Sequence, residues 1–280
     1  MTAPFTTRFA PSPTGLLHRG HAFSALTAHD SARVAGGRFL LRIEDIDATR
    51  SRPDFEAAIY EDLAWLGLEW EQPVRRQSEH LTEYQAAIGR LAERGLLYRC
   101  FRTRREIAEA IASAPHGTMD TWRGSPLPSD EEARRLAAGE TFAWRLSLDA
   151  ALAQAGALTF TEEGSGPNGE TGVITARPEL GGDVVLARRD VGVAYHLAVT
   201  LDDALQGVTH VIRGQDLFEA THVQRLLQAL LDLPTPVYRH HRLLTGPDGR
   251  RYAKRDHAQT LAELRAAGVT PQQLRAEMGL

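Results

Sequence analysis

The chain has 280 residues, 42% hydrophobic and 24% charged, enough to bury a sizeable core in one large or two smaller domains, which excludes a peptide, a fibre or a disordered tail. A formal charge of -4 excludes a uniformly basic nucleic-acid coat but leaves room for a local arginine-lined patch on an acidic body. Cys100, the single cysteine, cannot form an internal disulfide, so a reducing, cytoplasmic compartment is expected, and no apolar run is long enough for a membrane span or a secretion signal.

Phe5 to Ala10 reads as a strand, the Pro-Ser-Pro-Thr-Gly stretch as a loop, and 18–34 as a helix with Ala22, Ala25, Leu26 and Ala28 at helical spacing. After a double-glycine turn, Arg38 to Asp47 predicts a second strand, and two helices follow near 53–66 and 79–94. From Tyr98 to Gly181 glycine and proline become frequent and only short strand-like pieces appear, at 141–148 and 157–162, which predicts an inserted α+β subdomain. The α/β rhythm resumes with a strand at 181–189, a helix from Tyr195 to Leu205, a strand at 208–214 and a long amphipathic helix from Asp216 to Leu233. The expected fold is α/β, a Rossmann-type doubly wound parallel sheet built from 1–97 and 182–233, interrupted by 98–181 and followed by a C-terminal segment, 234–280. Ligands of such sheets sit at the carboxyl ends of the strands, so the loop after the first strand is the first candidate site.

Pro11, Pro13 and Gly15 restrict that loop, and the helix behind it opens on His18 and His21, which lie on one side of the first turn. Two imidazoles at a positive helix end suit a polyphosphate; a capped helix carrying two surface histidines satisfies the same spacing. The second strand ends in Arg42-Ile43-Glu44-Asp45-Ile46-Asp47, where Glu44 could hold an ammonium group and the carboxylates a Mg2+ ion, or where the acids simply form a solvated turn. By default Tyr195 is a core aromatic and Arg213 an ion-pair partner. Of the 32 basic residues only Lys254 is lysine, and a compact ammonium can approach phosphate in a way that the planar guanidinium cannot.

Taken in order, Arg8-Phe9-Ala10-Pro11-Ser12-Pro13-Thr14-Gly15, His18-Arg19-Gly20-His21, the Arg42–Asp47 run, Tyr195-His196-Leu197 and Arg213-Gly214-Gln215-Asp216-Leu217 resemble the glutamyl branch of the class I aminoacyl-tRNA synthetases. His18 to His21 matches the HIGH-type signature. Arg251-Tyr252-Ala253-Lys254-Arg255 stands at the place of the KMSKS-type loop and keeps only its second lysine, Lys254. Only residues 255–280 follow Lys254, whereas a separate anticodon-binding domain needs roughly 50 residues or more. None is expected, and the chain therefore looks like the short paralogues, the glutamyl-Q tRNA(Asp) synthetases.

That resemblance implies ATP-dependent activation of L-glutamate, with Mg2+ on the phosphates, and transfer of the glutamyl group to queuosine at the wobble position of tRNA(Asp) by a monomer that binds no membrane. It places Arg8, Ala10, Ser12, Glu44, Tyr195 and Arg213 around glutamate, and His18, His21 and Lys254, the expected catalytic groups, around ATP. Related proteins often carry a zinc site in the insertion. Here one thiol, Cys100, is too few for a tetrahedral site, so no zinc is expected and Phe101, Met119 and Trp122 are the guessed packing residues. Two alternatives are a truncated synthetase charging tRNA(Glu) and a catalytically inactive paralogue that senses glutamate or binds RNA. Arg102 to Arg105 and Arg239 to Arg242 are candidate phosphate contacts, with a solvated face as the other reading of each.

Overall fold

The computed structural model describes residues 4–112, 121–188, 192–244 and 259–280. Strand β1 (Thr6–Phe9) pairs in parallel with β2 (Arg38–Ile43), and β2 with β3 (Glu71–Arg76), Thr6 lying opposite Arg38 and Ile43 opposite Arg76. Helix α1 (Arg19–Val34) makes the crossover between β1 and β2, as the sequence rhythm predicts. Its buried residues are Ala22, Phe23, Ala25, Leu26, Ala28 and Ala32, and the small alanines let the helix lie close over β1, β2 and β9 (His210–Gly214). Burying Leu26 there stabilises the fold by about 1.5–3 kcal/mol. Strand β9 stands beside β1, joined by the Thr209 N–H to the Thr6 carbonyl at 2.9 Å and the Thr6 N–H to the Thr209 hydroxyl at 2.8 Å. Strand β10 (Val237–His241) pairs in parallel with β9.

Helices α2 (Pro53–Trp65) and α3 (Leu81–Glu93) fall close to their predicted positions, as do α7 (Tyr195–Leu205) and α8 (Phe218–Leu230). Strands β3 and β10 are not legible as strands, because Glu71-Gln72-Pro73-Val74-Arg75-Arg76 and Val237-Tyr238-Arg239-His240-His241 carry polar groups whose partners come from other elements. The predicted insertion contains two distinct parts. Strands β4 (Leu97–Cys100) and β5 (Ala143–Leu146) form an antiparallel sheet with β8 (Val185–Arg188). Strands β6 (Thr159–Glu162) and β7 (Gly172–Thr175) form a hairpin instead, and β6 adds to β10, extending the larger sheet. Helix α4 (Arg104–Ala112), helix α5 (Ser129–Ala137) and helix α6 (Leu148–Ala155) complete this region.

One core cluster lies between α1, β2 and α2 and takes in Leu261 and Leu264 of α9 (Leu261–Ala266) and Leu274 of α10 (Pro271–Met278). A second joins Leu146 and Leu148 to Tyr84, Leu197 and Leu226, so the β4–β5–β8 sheet shares apolar contacts with α3, α7 and α8. No described helix is long and apolar enough to cross a membrane.

Candidate active site

The carboxyl ends of β1, β2 and β9 and the start of α1 surround a cleft of about 500 Å³. Arg8, Ala10, Ser12, His18, His21, Glu44, Tyr195 and Arg213 all line it, whereas Lys254, with the rest of 251–255, lies outside the described residues. The Glu44 N–H donates to the Pro11 carbonyl at 3.0 Å, tying the end of β2 to the loop that follows β1.

The two signature histidines cap α1, as one of the two readings of their spacing has it, and also line the cleft. The Gly20 N–H donates to His18 Nδ1 and the His18 N–H to His21 Nδ1, each at 3.1 Å, so the pair forms a reciprocal cap on α1. The rings lie 3.8 Å apart between centroids and both face the cleft. With each Nδ1 accepting from the backbone, the hydrogen-bond network assigns the proton of each neutral ring to Nε2. Gly20 allows this closeness, since a Cβ there would come within 3.1 Å of the His18 ring.

The two arginines are not equivalent. Arg8 donates from Nε and Nη2 to Asp203 at 2.9 and 3.3 Å. Arg213 donates from Nε to His240 Nε2 at 3.1 Å and from Nη2 to the Thr221 hydroxyl at 2.7 Å and Gln224 Oε1 at 2.9 Å. Its Nη1 is buried without a hydrogen-bond partner, so an unsatisfied charged donor stands beside the cleft. Glu44 accepts from Arg42 Nη2 at 3.1 Å. Burial raises the Glu44 carboxyl above its usual range, opposed by the Arg42 and Arg8 guanidiniums. Burial also raises the Tyr195 hydroxyl, with Arg213 and Arg8 opposing the shift and Glu44 adding to it.

Sequence reasoning missed the residues beneath this surface. Arg42 is fully buried and also donates to Asp203 at 2.8 Å, so Asp203 bridges two guanidiniums. Asp202 accepts from Arg75, Gln77 and Tyr84. The signal available was an Asp-Asp pair inside an otherwise apolar stretch of α7, where ionised side chains require buried partners. Burial alone would lower the Arg42 pKa, but Asp203, Glu44 and Asp202 outweigh it and raise that pKa.

A second cavity of about 700 Å³ shares Ser12, Glu44 and Tyr195 with the first and opens between the sheet and β4–β5, beside Arg50, Phe101, Arg102, Arg104 and Phe142. Of the arginine runs, Arg102 and Arg104 reach this cavity, while Arg239 pairs with Glu163 at 2.7 Å and Arg242 donates to the Met278 carbonyl at 2.7 Å. Cys100 is buried beside Tyr98 and Ile107, and Trp122 donates to the Tyr98 hydroxyl at 3.1 Å; Met119 lies outside the described residues. Among the described residues no three His, Cys, Asp or Glu side chains gather as metal ligands.

Residues 4–280 match the family described as tRNA synthetases class I (E and Q), catalytic domain. A glutamyl-Q tRNA(Asp) synthetase of Rhodobacter capsulatus is 50% identical over 98% of this chain and 99% of its own length, and one of Symbiobacterium thermophilum is 44% identical over 95% and 82%. A glutamate–tRNA ligase of a Synechococcus species is 38% identical, and the chain covers 98% of itself but 57% of that protein. The solved structure of a glutamate tRNA ligase from Elizabethkingia meningosepticum, in complex with its amino acid, superposes with a TM-score of 0.76 at 27% identity, covering 91% of this chain and 52% of that one. With its parallel sheet, its histidine-capped first helix and these relatives, the chain belongs to the glutamyl-Q tRNA(Asp) synthetases, within the class I tRNA synthetases for E and Q.

Proposed function

We propose that the protein activates L-glutamate with ATP to glutamyl-adenylate and pyrophosphate, then transfers the glutamyl group to the cyclopentenediol of queuosine at the wobble position of tRNA(Asp). The observation that carries the reading is the convergence of Glu44, the unpartnered Arg213 Nη1 and the His18–His21 pair on one cleft. Arg213 would receive the side-chain carboxylate of glutamate, with Arg8, Ala10 and Ser12 along the adjoining wall, Glu44 at the α-ammonium and Tyr195 closing the pocket. The positive end of α1 and the two Nε2–H groups suit ATP phosphates, where charge builds as the glutamate α-carboxylate attacks the α-phosphorus and pyrophosphate leaves. Lys254 is assigned to the same phosphates. Mg2+ would arrive on the ATP itself and supply charge neutralisation. The second cavity, arginine-rich and walled by Phe101 and Phe142, supports an RNA acceptor reaching Glu44 and Tyr195 from that side.

The test is transfer of labelled glutamate to three RNAs: tRNA(Asp) with queuosine, tRNA(Asp) with guanosine in its place, and tRNA(Glu), each with and without the 3′-terminal adenosine. Labelling that requires queuosine and survives removal of that adenosine is the expected result. Labelling of tRNA(Glu) that requires it would instead assign the charging reaction of the glutamate–tRNA ligases. Absence of ATP–pyrophosphate exchange with glutamate would assign an inactive paralogue.

A further inference from the structure

Behind Arg213 lies a chain of buried polar groups that ends on the β6 hairpin. His240 accepts from Arg213 Nε through its Nε2 at 3.1 Å, and its Nδ1 is 2.6 Å from Glu162 Oε2. Both the His240 and Glu162 side chains are fully buried. An Arg Nε–H can only donate, so His240 Nε2 must be the bare nitrogen and Nδ1 must carry the proton that Glu162 accepts. The other carboxylate oxygen, Oε1, accepts the N–H groups of His240 at 2.8 Å and Gly164 at 2.7 Å. Gly164 is required at that point, because a Cβ would meet the His240 carbonyl oxygen at 2.2 Å. The His240 and Tyr238 rings lie 4° from parallel with centroids 6.1 Å apart, and the Arg213 guanidinium lies 5.5 Å from the Tyr238 ring centre.

We infer that Glu162 and His240 are positioning residues for glutamate: Glu162 fixes the tautomer of His240, and His240 turns the Arg213 fork so that Nη1 faces the substrate carboxylate. The inference rests on the reading of Arg213 as a ligand of that carboxylate. Its distinctive element is the tautomer. Two backbone N–H groups on Oε1 dictate which end of an amide could replace the carboxylate. In Glu162→Gln the amide oxygen must take the backbone side, so the NH2 group faces His240 Nδ1 and donates to it. The imidazole proton then moves to Nε2 and confronts the Arg213 Nε–H, donor against donor, although side-chain volume has hardly changed. Arg213 must rotate away, and the pocket loses a prepositioned charge that binds ground state and transition state alike. The loss therefore falls on KM more than on kcat.

The experiment is ATP–pyrophosphate exchange by the full chain, with the His240 tautomer read from the 15N shifts of its ring nitrogens. Glu162→Gln should move the proton to Nε2 and raise KM for glutamate by about tenfold or more, while KM for ATP stays within about twofold. A second pair separates the two ends of the relay. His240→Gln places an amide oxygen near the former Nε2 and keeps an acceptor for Arg213; His240→Asn keeps a donor for Glu162 but does not reach Arg213. The glutamine variant should bind glutamate more tightly than the asparagine variant, and this comparison stands even if Glu162→Gln does not fold. A moved tautomer with parental KM for glutamate, an unmoved tautomer, equal rises in both KM values, or equal behaviour of the two His240 variants would each overturn the relay. Arg213→Ala serves as reference: a parental KM for glutamate in that variant refutes the pocket assignment itself, whereas a raised one, with Glu162→Gln unaffected, refutes the relay alone.

Discussion

Asp203 is the most informative single charge to remove. Its carboxylate receives Arg8 at 2.9 and 3.3 Å and Arg42 at 2.8 Å, and Arg42 is fully buried. At an effective dielectric near 20 each such contact is worth about 5 kcal/mol gross, most of which offsets the desolvation of the three groups. Asp203→Asn keeps the shape, removes the shared negative charge and leaves two guanidiniums facing Glu44 and Asp202 alone. Breaking a buried pair in this way costs about 3–5 kcal/mol, a large share of the stability of an ordinary domain. For a chain of this size that corresponds to a fall in Tm of roughly 5–9 °C, measurable by calorimetry, with the free-energy loss read by urea titration. The pH dependence carries a second signature. Burial pushes the Asp203 carboxyl up, but Arg8 and Arg42 outweigh it and hold its pKa below the unfolded value. Its contribution is therefore complete above the unfolded pKa and is lost as pH falls through the folded one, so the variant should show a shallower acid limb. Pyrophosphate exchange should fall with stability, because Arg8 and the Arg42-held Glu44 lose their common anchor. A loss below about 1 kcal/mol, or an unchanged acid limb, would refute the argument that this carboxylate is what neutralises the floor of the cleft.

Three further outcomes follow from other sites. Arg213→Ala should weaken activation of glutamate by about 2–4 kcal/mol in kcat/KM and shrink its advantage over glutamine; exchange assays with both amino acids decide it. Lys254→Arg should lose exchange activity despite the retained charge, since a planar fork cannot take the place of a compact ammonium, and unchanged exchange would return the lone lysine to chance. Asp62 is fully buried, its oxygens accept no hydrogen bond, and Arg265 lies 3.3 Å away. Burial pushes its pKa up to about 6, with Arg265 opposing and Glu61 adding, so the folded state holds a proton that the unfolded chain has released by pH 6. Stability should consequently fall as pH rises from about 4 to about 6, and Asp62→Asn should flatten that fall and gain about 1–3 kcal/mol at pH 7 in denaturant titrations.

The parts of the site written in contiguous sequence were legible: the β1 loop, the His18–His21 pair and Glu44 at a strand end all occupy the places their local pattern implies. Asp203, Glu162 and His240 were not, because each acquires its meaning from a partner far away in sequence; Arg8 and Asp203 stand 195 positions apart. The same reason hid β10, whose run Arg239-His240-His241 reads as a solvated face until Glu162 and Arg213 are brought against His240. Helices α9 and α10 did carry a local signal. Thr260 with Glu263 and Thr270 with Gln273 are capping boxes readable from spacing alone.

Asp183 accepts the Tyr98 hydroxyl at 2.8 Å, the Gly124 N–H at 2.7 Å and the Leu148 N–H at 3.0 Å. One carboxylate thus fastens β4, the segment behind Trp122 and the first turn of α6 to the approach to β8. Three donors converging on one group act as a rivet: the sheet whose strands β4 and β5 are flanked by Phe101 and Phe142 is held to the approach to β8. The wall of the larger cavity that those aromatics form is thus braced from behind by a single buried charge. Loosening that one charge would therefore be felt at three places in the wall at once, at a distance from the cavity itself.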